Sequence, residues 1–371
     1  MRRLLVPLVL IAVLAAACGD DTDDTAPTTT TTSTTTSSTT STTTTSTTTT
    51  STTTTTTTLP AIEIPVPEAS TVADVLALDR PVVIGHAGGD QSWPHSTMFA
   101  FREAALAGTE VLEMDVQLTA DGVLVVQHDA TVDRTTETTG RVRDLTYDEL
   151  QALDNGYWWS DEWSSHDLPD EAYIYRGIRT GEVEPPPGYT ADDFRVETFE
   201  AIATAFPDHV LDVEIKIPAG DDGEDDLAFA IEGAQVLADE IAALGRTDSV
   251  IAVSFSDEVM AAFHGFAPEV TTSPGTDQMT AWGLGAGELL PTDLILQVPP
   301  FFGDLEVLEV PGLLDKAEAE GLAVWVWPSS ASTQENADYY ASLVTTYGID
   351  GIIAGHPELA VERYRAEGFI P

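Results

Sequence analysis

Two histidines and three carboxylates between residues 86 and 214 have the types and spacing of a hydrolytic site. His86 follows the apolar run Val82-Val83-Ile84-Gly85, so a buried strand delivers an imidazole at its end. Glu113 and Asp115 lie in a second apolar run, Val111 to Val116, and their i, i+2 spacing puts both carboxylates on one face of a strand. Between Val116 and His128, two strand-like runs flank Asp121-Gly122, a two-residue hairpin signal. With that dipeptide as the turn centre, Asp115 and His128 stand opposite each other. Buried like charges repel, so an imidazole beside two carboxylates calls for a cation. Leu211 to Lys216 alternates again, with Glu214 and Lys216 on one face. Three carboxylates without a cysteine suit a hard cation, Mg²⁺ or Ca²⁺, better than zinc. The pattern is that of metal-assisted hydrolysis.

The elements that must position these groups are legible as eight short apolar runs near 82–86, 111–116, 210–215, 250–255, 269–273, 293–297, 323–327 and 351–354. Amphipathic segments at 98–107, 226–244, 312–320, 334–346 and 358–366 fall between most of them. Strand–helix alternation of this count predicts an α/β fold, a (β/α)₈ TIM barrel, whose chemistry sits at the C-terminal ends of the strands. His86, Asp115 and Glu214 fall at such ends, and the hairpin folds His128 back over that face. Residues 154–195 are too long and too aromatic for a plain loop, with Tyr157-Trp158-Trp159, Trp163 and Pro185-Pro186-Pro187. They are expected to form an insertion over the mouth of the barrel.

The order of these motifs resembles the glycerophosphodiester phosphodiesterases. The family opens with His-Arg-Gly, five residues, then Pro-Glu-Asn-Thr; here stand His86-Ala87-Gly88 and Pro94-His95-Ser96-Thr97. Glu113-Met114-Asp115-Val116 matches Glu-Leu-Asp-Val. Asp121 to Asp129 with Asp133-Arg134-Thr135-Thr136 matches the hairpin motif, and Glu214-Ile215-Lys216, Ser254-Phe255, Val326-Trp327 and Gly348 to Ile353 follow in order. The resemblance implies that Glu113, Asp115 and Glu214 bind the divalent metal. It implies that His86 and His128 are the general acid–base pair, and that Lys216 holds a phosphate oxygen. Trp327 is a candidate for the substrate pocket. A phospholipase D-like relative shares the first histidine and Glu-x-Asp, but the Glu214-x-Lys216 strand favours the first branch.

The chain also departs from the family pattern. The arginine after the first histidine is Ala87, Pro-Glu-Asn-Thr has become Pro94-His95-Ser96-Thr97, and the Thr-Asp after the closing strand is Ala354-Gly355. A missing charge-assisted contact weakens binding by about 1.5–3 kcal/mol. His95 and His356, both expected near the mouth, are the candidates to replace the guanidinium. The rival expectation is a catalytically impaired surface protein that binds on the same barrel.

Of the 371 residues, the first 59 read as an address rather than a fold. Met1-Arg2-Arg3, the apolar stretch Leu4 to Ala17 and Ala15-Ala16-Ala17-Cys18-Gly19 predict a lipoprotein signal peptide over 1–17 and lipidation of Cys18, the sole cysteine. Residues 18–59, nearly all Thr and Ser beyond Thr25, are expected to form a tether with too few apolar side chains to offset its ordering entropy. The catalytic domain is expected over 60–371. The protein is therefore expected at the cell membrane, held by its lipid alone and facing outward. A net charge of −47, with only two lysines (Lys216 and Lys316), argues against nucleic acid and anionic lipid surfaces, and the small-molecule phosphodiester partner is what the family resemblance implies.

Overall fold

Each of the eight expected runs is a strand in the computed structural model, which describes residues 62–371 apart from 162–163, 221–222 and 329–334. The signal peptide, Cys18, the tether, Trp163 and Ser329-Ser330 lie outside the described residues. The strands are β1 (Val82–Gly85), β2 (Val111–Leu118), a hairpin arm β3 (Leu124–Val126), β4 (Val210–Ile215), β5 (Val250–Val253), β6 (Thr271–Thr272) and β7 (Ile295–Val298). A small outer ribbon of β8 (Phe301–Phe302) and β9 (Leu305–Glu306) precedes β10 (Ala323–Val326) and β11 (Gly351–Ala354). The parallel order β6-β5-β4-β2-β1-β11-β10-β7 closes through a bridge between Thr272 and Asp293, with Thr272 N donating to Thr292 O at 2.8 Å. The result is a nearly closed (β/α)₈ barrel, as expected.

Helices fill the crossovers: α1 (Val72–Leu76), α2 (Met98–Ala107), the one-turn α3 (Tyr147–Leu150), α4 (Phe199–Ala205), α5 (Leu227–Leu244), α6 (Asp257–Phe266), α7 (Thr276–Gly283), α8 (Leu313–Glu320), α9 (Ala337–Tyr347) and α10 (Pro357–Glu367). Their ends follow side-chain chemistry. Thr97 accepts from Ala100 N–H to cap α2, and Gly108, at φ 103°, closes it in the left-handed region. Among the described residues, no helix is long and apolar enough to cross a membrane.

Period-two alternation divides the barrel into an apolar floor and a polar mouth. Val82, Ile84, Val111, Val210, Ile251, Ile295, Trp325 and Ile353 form one buried cluster, completed by Ala69, Val72 and Val75 at the start of the domain. The same inward faces continue toward the strand C-termini as Glu113, Asp115 and Gln117 on β2 and as Asp212, Glu214 and Lys216 on β4. The opposite faces, Leu112, Met114 and Val116 with Leu211, Val213 and Ile215, pack in a second cluster with side chains of α2, α4, α5 and α6. Burying one such aliphatic side chain contributes about 1.5–3 kcal/mol, which lets the framework tolerate a cluster of buried charge.

The hairpin register differs from the expectation by one residue. β2 and β3 pair Val116 with Val126 and Leu118 with Leu124, so Asp115 is level with Gln127 and His128 lies one step further on. The turn is a three-residue loop rather than a two-residue one. Thr119 N donates to Val123 O at 3.0 Å, and Gly122 sits at φ 79° as the left-handed residue such loops require.

Candidate active site

His86 is the first residue after β1, and the chain then reverses through three left-handed residues: Ala87 (φ 46°), Gly88 (φ 82°) and Gly89 (φ 102°). An L-residue in that region costs about 1–3 kcal/mol, so Ala87 is held there by its surroundings. The reversal aims Ala87 N–H at Glu113, whose carboxylate accepts it at 2.6 Å. It also brings Asp90 Oδ1 to 3.3 Å from His86 Nδ1, an ion-pair distance without hydrogen-bond geometry. Burial disfavours the charged imidazole, but Asp90, and then Glu113 and Asp115, outweigh it and hold the His86 pKa well above its usual value.

β2 and β4 pair in register, Glu113 with Asp212 and Asp115 with Glu214, so four carboxylates share one end of the barrel. Lys216 answers them: its Nζ lies 3.3 Å from Asp115 and 3.0 Å from Glu214. Asp115 is 1% exposed. Burial opposes its charge, but Lys216, His128 and His86 together hold its pKa below the ordinary range. Glu113 goes the other way, pushed well up by burial and by the like charge of Asp115. Asp212 accepts two hydrogen bonds from Gln297 Nε2 across the barrel, at 2.8 and 2.9 Å, and burial lifts it to about 7.

The loop after β3 holds His128 at the same mouth. Gln117 Nε2 donates to the carbonyls of Gln127 (2.8 Å), His128 (3.2 Å) and Asp129 (2.6 Å), fixing that loop against β2. His128 Nδ1 lies 2.7 Å from Asp129, which assigns the proton to Nδ1 and leaves Nε2 for chemistry. Arg134 grips the same carboxylate with Nε and Nη2, at 2.6 and 2.9 Å. Despite burial, the His128 bond and the Arg134 charge keep Asp129 well below the usual carboxylate range.

The remaining candidates fall around this centre. His95 is 4% exposed, bonded through Nδ1 to Ser96 Oγ at 3.0 Å. Burial, then the Arg134 charge, lower it to about 3, so it supplies a neutral imidazole and no replacement cation at neutral pH. His356 bonds Ser92 Oγ at 2.7 Å and is raised by Glu358, which favours a charged ring. Trp327 follows β10 and meets Phe255, beyond β5, edge to face at 5.7 Å. In the insertion, Arg176 lies within 4.0–4.5 Å of the rings of Tyr157, Trp158 and Tyr173, and Trp158 stacks on His166. Trp159 Nε1 donates to Asp90 O at 3.3 Å, and Trp158 N to Thr135 O, so the insertion braces the loops that carry Asp90 and Arg134. Sequence reasoning assigned no role to Asp90, Gln117, Arg134 or Asp212. Alternation alone places Asp212 and Gln117 on the inward face, whereas Asp90 and Arg134 depend on loop geometry.

The donor set at the mouth fits a hard divalent cation. Its carboxylates offer oxygen ligands, and among the described residues Asp115 Oδ2 is buried without a hydrogen-bond partner. Among the described residues, no three ligand-type side chains already converge on one point, because the Lys216 ammonium stands between Asp115 and Glu214.

Comparison with known proteins matches this architecture to one family. The sequence profile described as the Glycerophosphoryl diester phosphodiesterase family matches residues 86–359. Glycerophosphodiester phosphodiesterase 1 of Bos taurus is 43% identical over 89 residues, which is 24% of this chain and 27% of that protein. The match thus spans about a quarter of the bovine protein's length. The glycerophosphodiester phosphodiesterase of Bacillus altitudinis is 26% identical over 289 residues, 76% of this chain and 96% of its own. A phosphodiesterase of Oleispira antarctica, solved with the product sn-glycerol-3-phosphate, shares the fold at a TM-score of 0.54 and 18% identity, over 77% of this chain and 97% of that one. The matched segment begins at the histidine that follows β1 and runs past β11 into the helix behind it, taking in the polar mouth of the barrel, and the chain belongs to the glycerophosphoryl diester phosphodiesterase family.

Proposed function

We propose that this protein hydrolyses a glycerophosphodiester to an alcohol and glycerol phosphate, using a divalent cation held by Glu113, Asp115 and Glu214. The observation that carries the reading is the meeting of His86, His128 and the β2–β4 carboxylates at the C-terminal mouth of the barrel. Family membership and the product named for the Oleispira neighbour support the substrate class.

His86, protonated because its carboxylate neighbours outweigh burial, gives a proton to the departing alkoxide. His128, with Nδ1 tied to Asp129, presents Nε2 to the attacking hydroxyl, whether of water or of the substrate's own glycerol. Lys216 turns its ammonium from the carboxylates to a phosphoryl oxygen, and Trp327 and His356 line the approach. His95 contributes an uncharged wall. The bound cation supplies Lewis acidity at the phosphoryl oxygens.

Single alanine variants of His86 and His128 test this assignment. Each is expected to lose at least about 10²-fold in kcat on glycerophosphocholine. Activity within tenfold of wild type in both would sink the acid–base roles. Ala87 and the Lys216 bridge favour a second reading, a binding barrel without turnover. Under that reading the diester binds to both variants and to wild type, and no product forms.

We further place the enzyme outside the cytoplasmic membrane, tethered through a lipid on Cys18, on the strength of the Leu4–Gly19 pattern. Cys18→Ser is then expected to move the protein from the membrane fraction to the medium. Unchanged membrane fractionation would count against the anchor.

A further inference from the structure

The His86 Nδ1 and Asp90 Oδ1 atoms are both buried, and among the described residues neither has a hydrogen-bond partner elsewhere. The two face each other at an ion-pair distance of 3.3 Å. Asp90 falls in the stretch between His86 and Pro94 where the family pattern fixes no residue, so motif matching does not find it.

The space that admits this carboxylate is made at the opposite edge. A Cβ built on Gly355, just past β11, would lie 2.7 Å from Asp90 Oδ1 and 2.7 Å from Gln91 Nε2. Real side chains essentially never approach that closely, so a residue with a side chain here must push aside the Asp90 carboxylate and the Gln91 side chain, whose Cγ would lie 2.9 Å away. Gly355 is absent from the left-handed glycines, so its backbone is one that any residue adopts. The glycine is there for room, not for conformation. Position 355 is also where the family pattern carries aspartate, so the carboxylate missing from the end of β11 is matched by one supplied from the loop after β1. Neighbouring bonds lock the two segments together: Gln91 N donates to Gly355 O at 3.1 Å, and Glu335 accepts from Gly355 N at 2.9 Å and from Tyr340 Oη at 2.6 Å.

We propose that Asp90 is a positioning residue that orients His86 through Nδ1, and that Gly355 is required because the Asp90 carboxylate fills the volume of a side chain there. Asp90 acts through His86 and touches no reacting atom. The proposal rests on the reading of His86 as a proton-transfer group.

The test compares Asp90→Ala, Gly355→Ala and the double variant Asp90→Ala/Gly355→Asp, read by steady-state kinetics and by ¹⁵N NMR of the histidine rings. Loss of orientation is expected to lower kcat by about 10- to 100-fold with little change in KM. Both single variants should show it, since Gly355→Ala displaces the same carboxylate without removing it. The double variant should regain part of kcat, and the ¹⁵N shift and slowed exchange of a His86 Nδ1 proton held by Asp90, present in wild type, should be lost in both single variants. Single variants with wild-type kcat and wild-type His86 ring signals would overturn the proposal. If the wild-type protein turns over no diester, the functional reading fails, and the ring signals alone still decide the positioning role.

Discussion

Replacing Lys216 by methionine isolates the electrostatics of the mouth, because it keeps the length of the side chain and removes its charge. Nζ stands 3.3 Å from Asp115 and 3.0 Å from Glu214, with the lysine side chain 18% exposed and Asp115 1% exposed. At an effective dielectric of ~20, each pair attracts by roughly 5 kcal/mol before desolvation. Desolvation of the ammonium offsets much of that attraction. What remains after deletion is a buried carboxylate with neither oxygen bonded, and breaking such a pair costs about 3–5 kcal/mol. The same change removes the first cation that holds Asp115 below the ordinary carboxylate range. Without it, the folded protein takes up a proton more readily than the unfolded chain, so the deficit shrinks as pH falls. Urea unfolding at neutral pH and at about pH 5 should show a loss of about 3–5 kcal/mol in the first case and clearly less in the second. Added Ca²⁺ or Mg²⁺ should restore stability to the variant, since the cation takes the place of the ammonium. A loss below about 1 kcal/mol, or one equal at both pH values, would refute this account of the cluster.

Three further perturbations test other links. The folded value of His95, about 3 against an ordinary 6.5, means that the unfolded chain binds the proton first, so wild-type stability should fall as pH drops from about 6.5 toward 3. His95→Gln should remove up to about 4 kcal/mol of that acid sensitivity, seen as a flatter profile of unfolding free energy against pH. Asp154 is raised to about 6 by burial, so its cost appears as pH rises from about 4 through 6; Asp154→Asn should abolish that slope, read by thermal unfolding across the same range. The Arg246 guanidinium donates to the carbonyls of Ala203 (2.6 Å), Phe206 (3.2 Å) and His209 (2.6 Å). Arg246→Met removes the side-chain donor from the Ala203 and His209 carbonyls, while Phe206 O still accepts from His209 N at 3.3 Å, and urea titration should show at least about 2 kcal/mol of destabilisation.

Much of the site was legible because β-strands alternate strictly. With Glu113 and Asp115 inward on β2, alternation puts Glu214 and Lys216 on one face of the next strand, and β2 and β4 pair Asp115 with Glu214. The hairpin went astray for a local reason. Asp121-Gly122 fits both a two-residue turn and the last two places of a three-residue loop, and only the paired strands choose between them. Asp90 and Arg134 were illegible for a different reason. Each reaches the mouth through loops whose direction is set by left-handed residues and by the insertion packed against them. The assignment of His95 as a replacement cation could not anticipate its burial, which keeps the ring neutral.

The central claim is that this mouth cleaves glycerophosphodiesters with a bound divalent cation. The most direct measurement is glycerol phosphate release from glycerophosphocholine and glycerophosphoglycerol by the purified protein, with Mg²⁺, Ca²⁺ or EDTA, alongside Glu113→Gln. The account predicts turnover with a metal, none with EDTA, and recovery when metal is returned, with Glu113→Gln inactive throughout. Turnover that persists in EDTA, or no product from either diester while the protein binds metal, would contradict it.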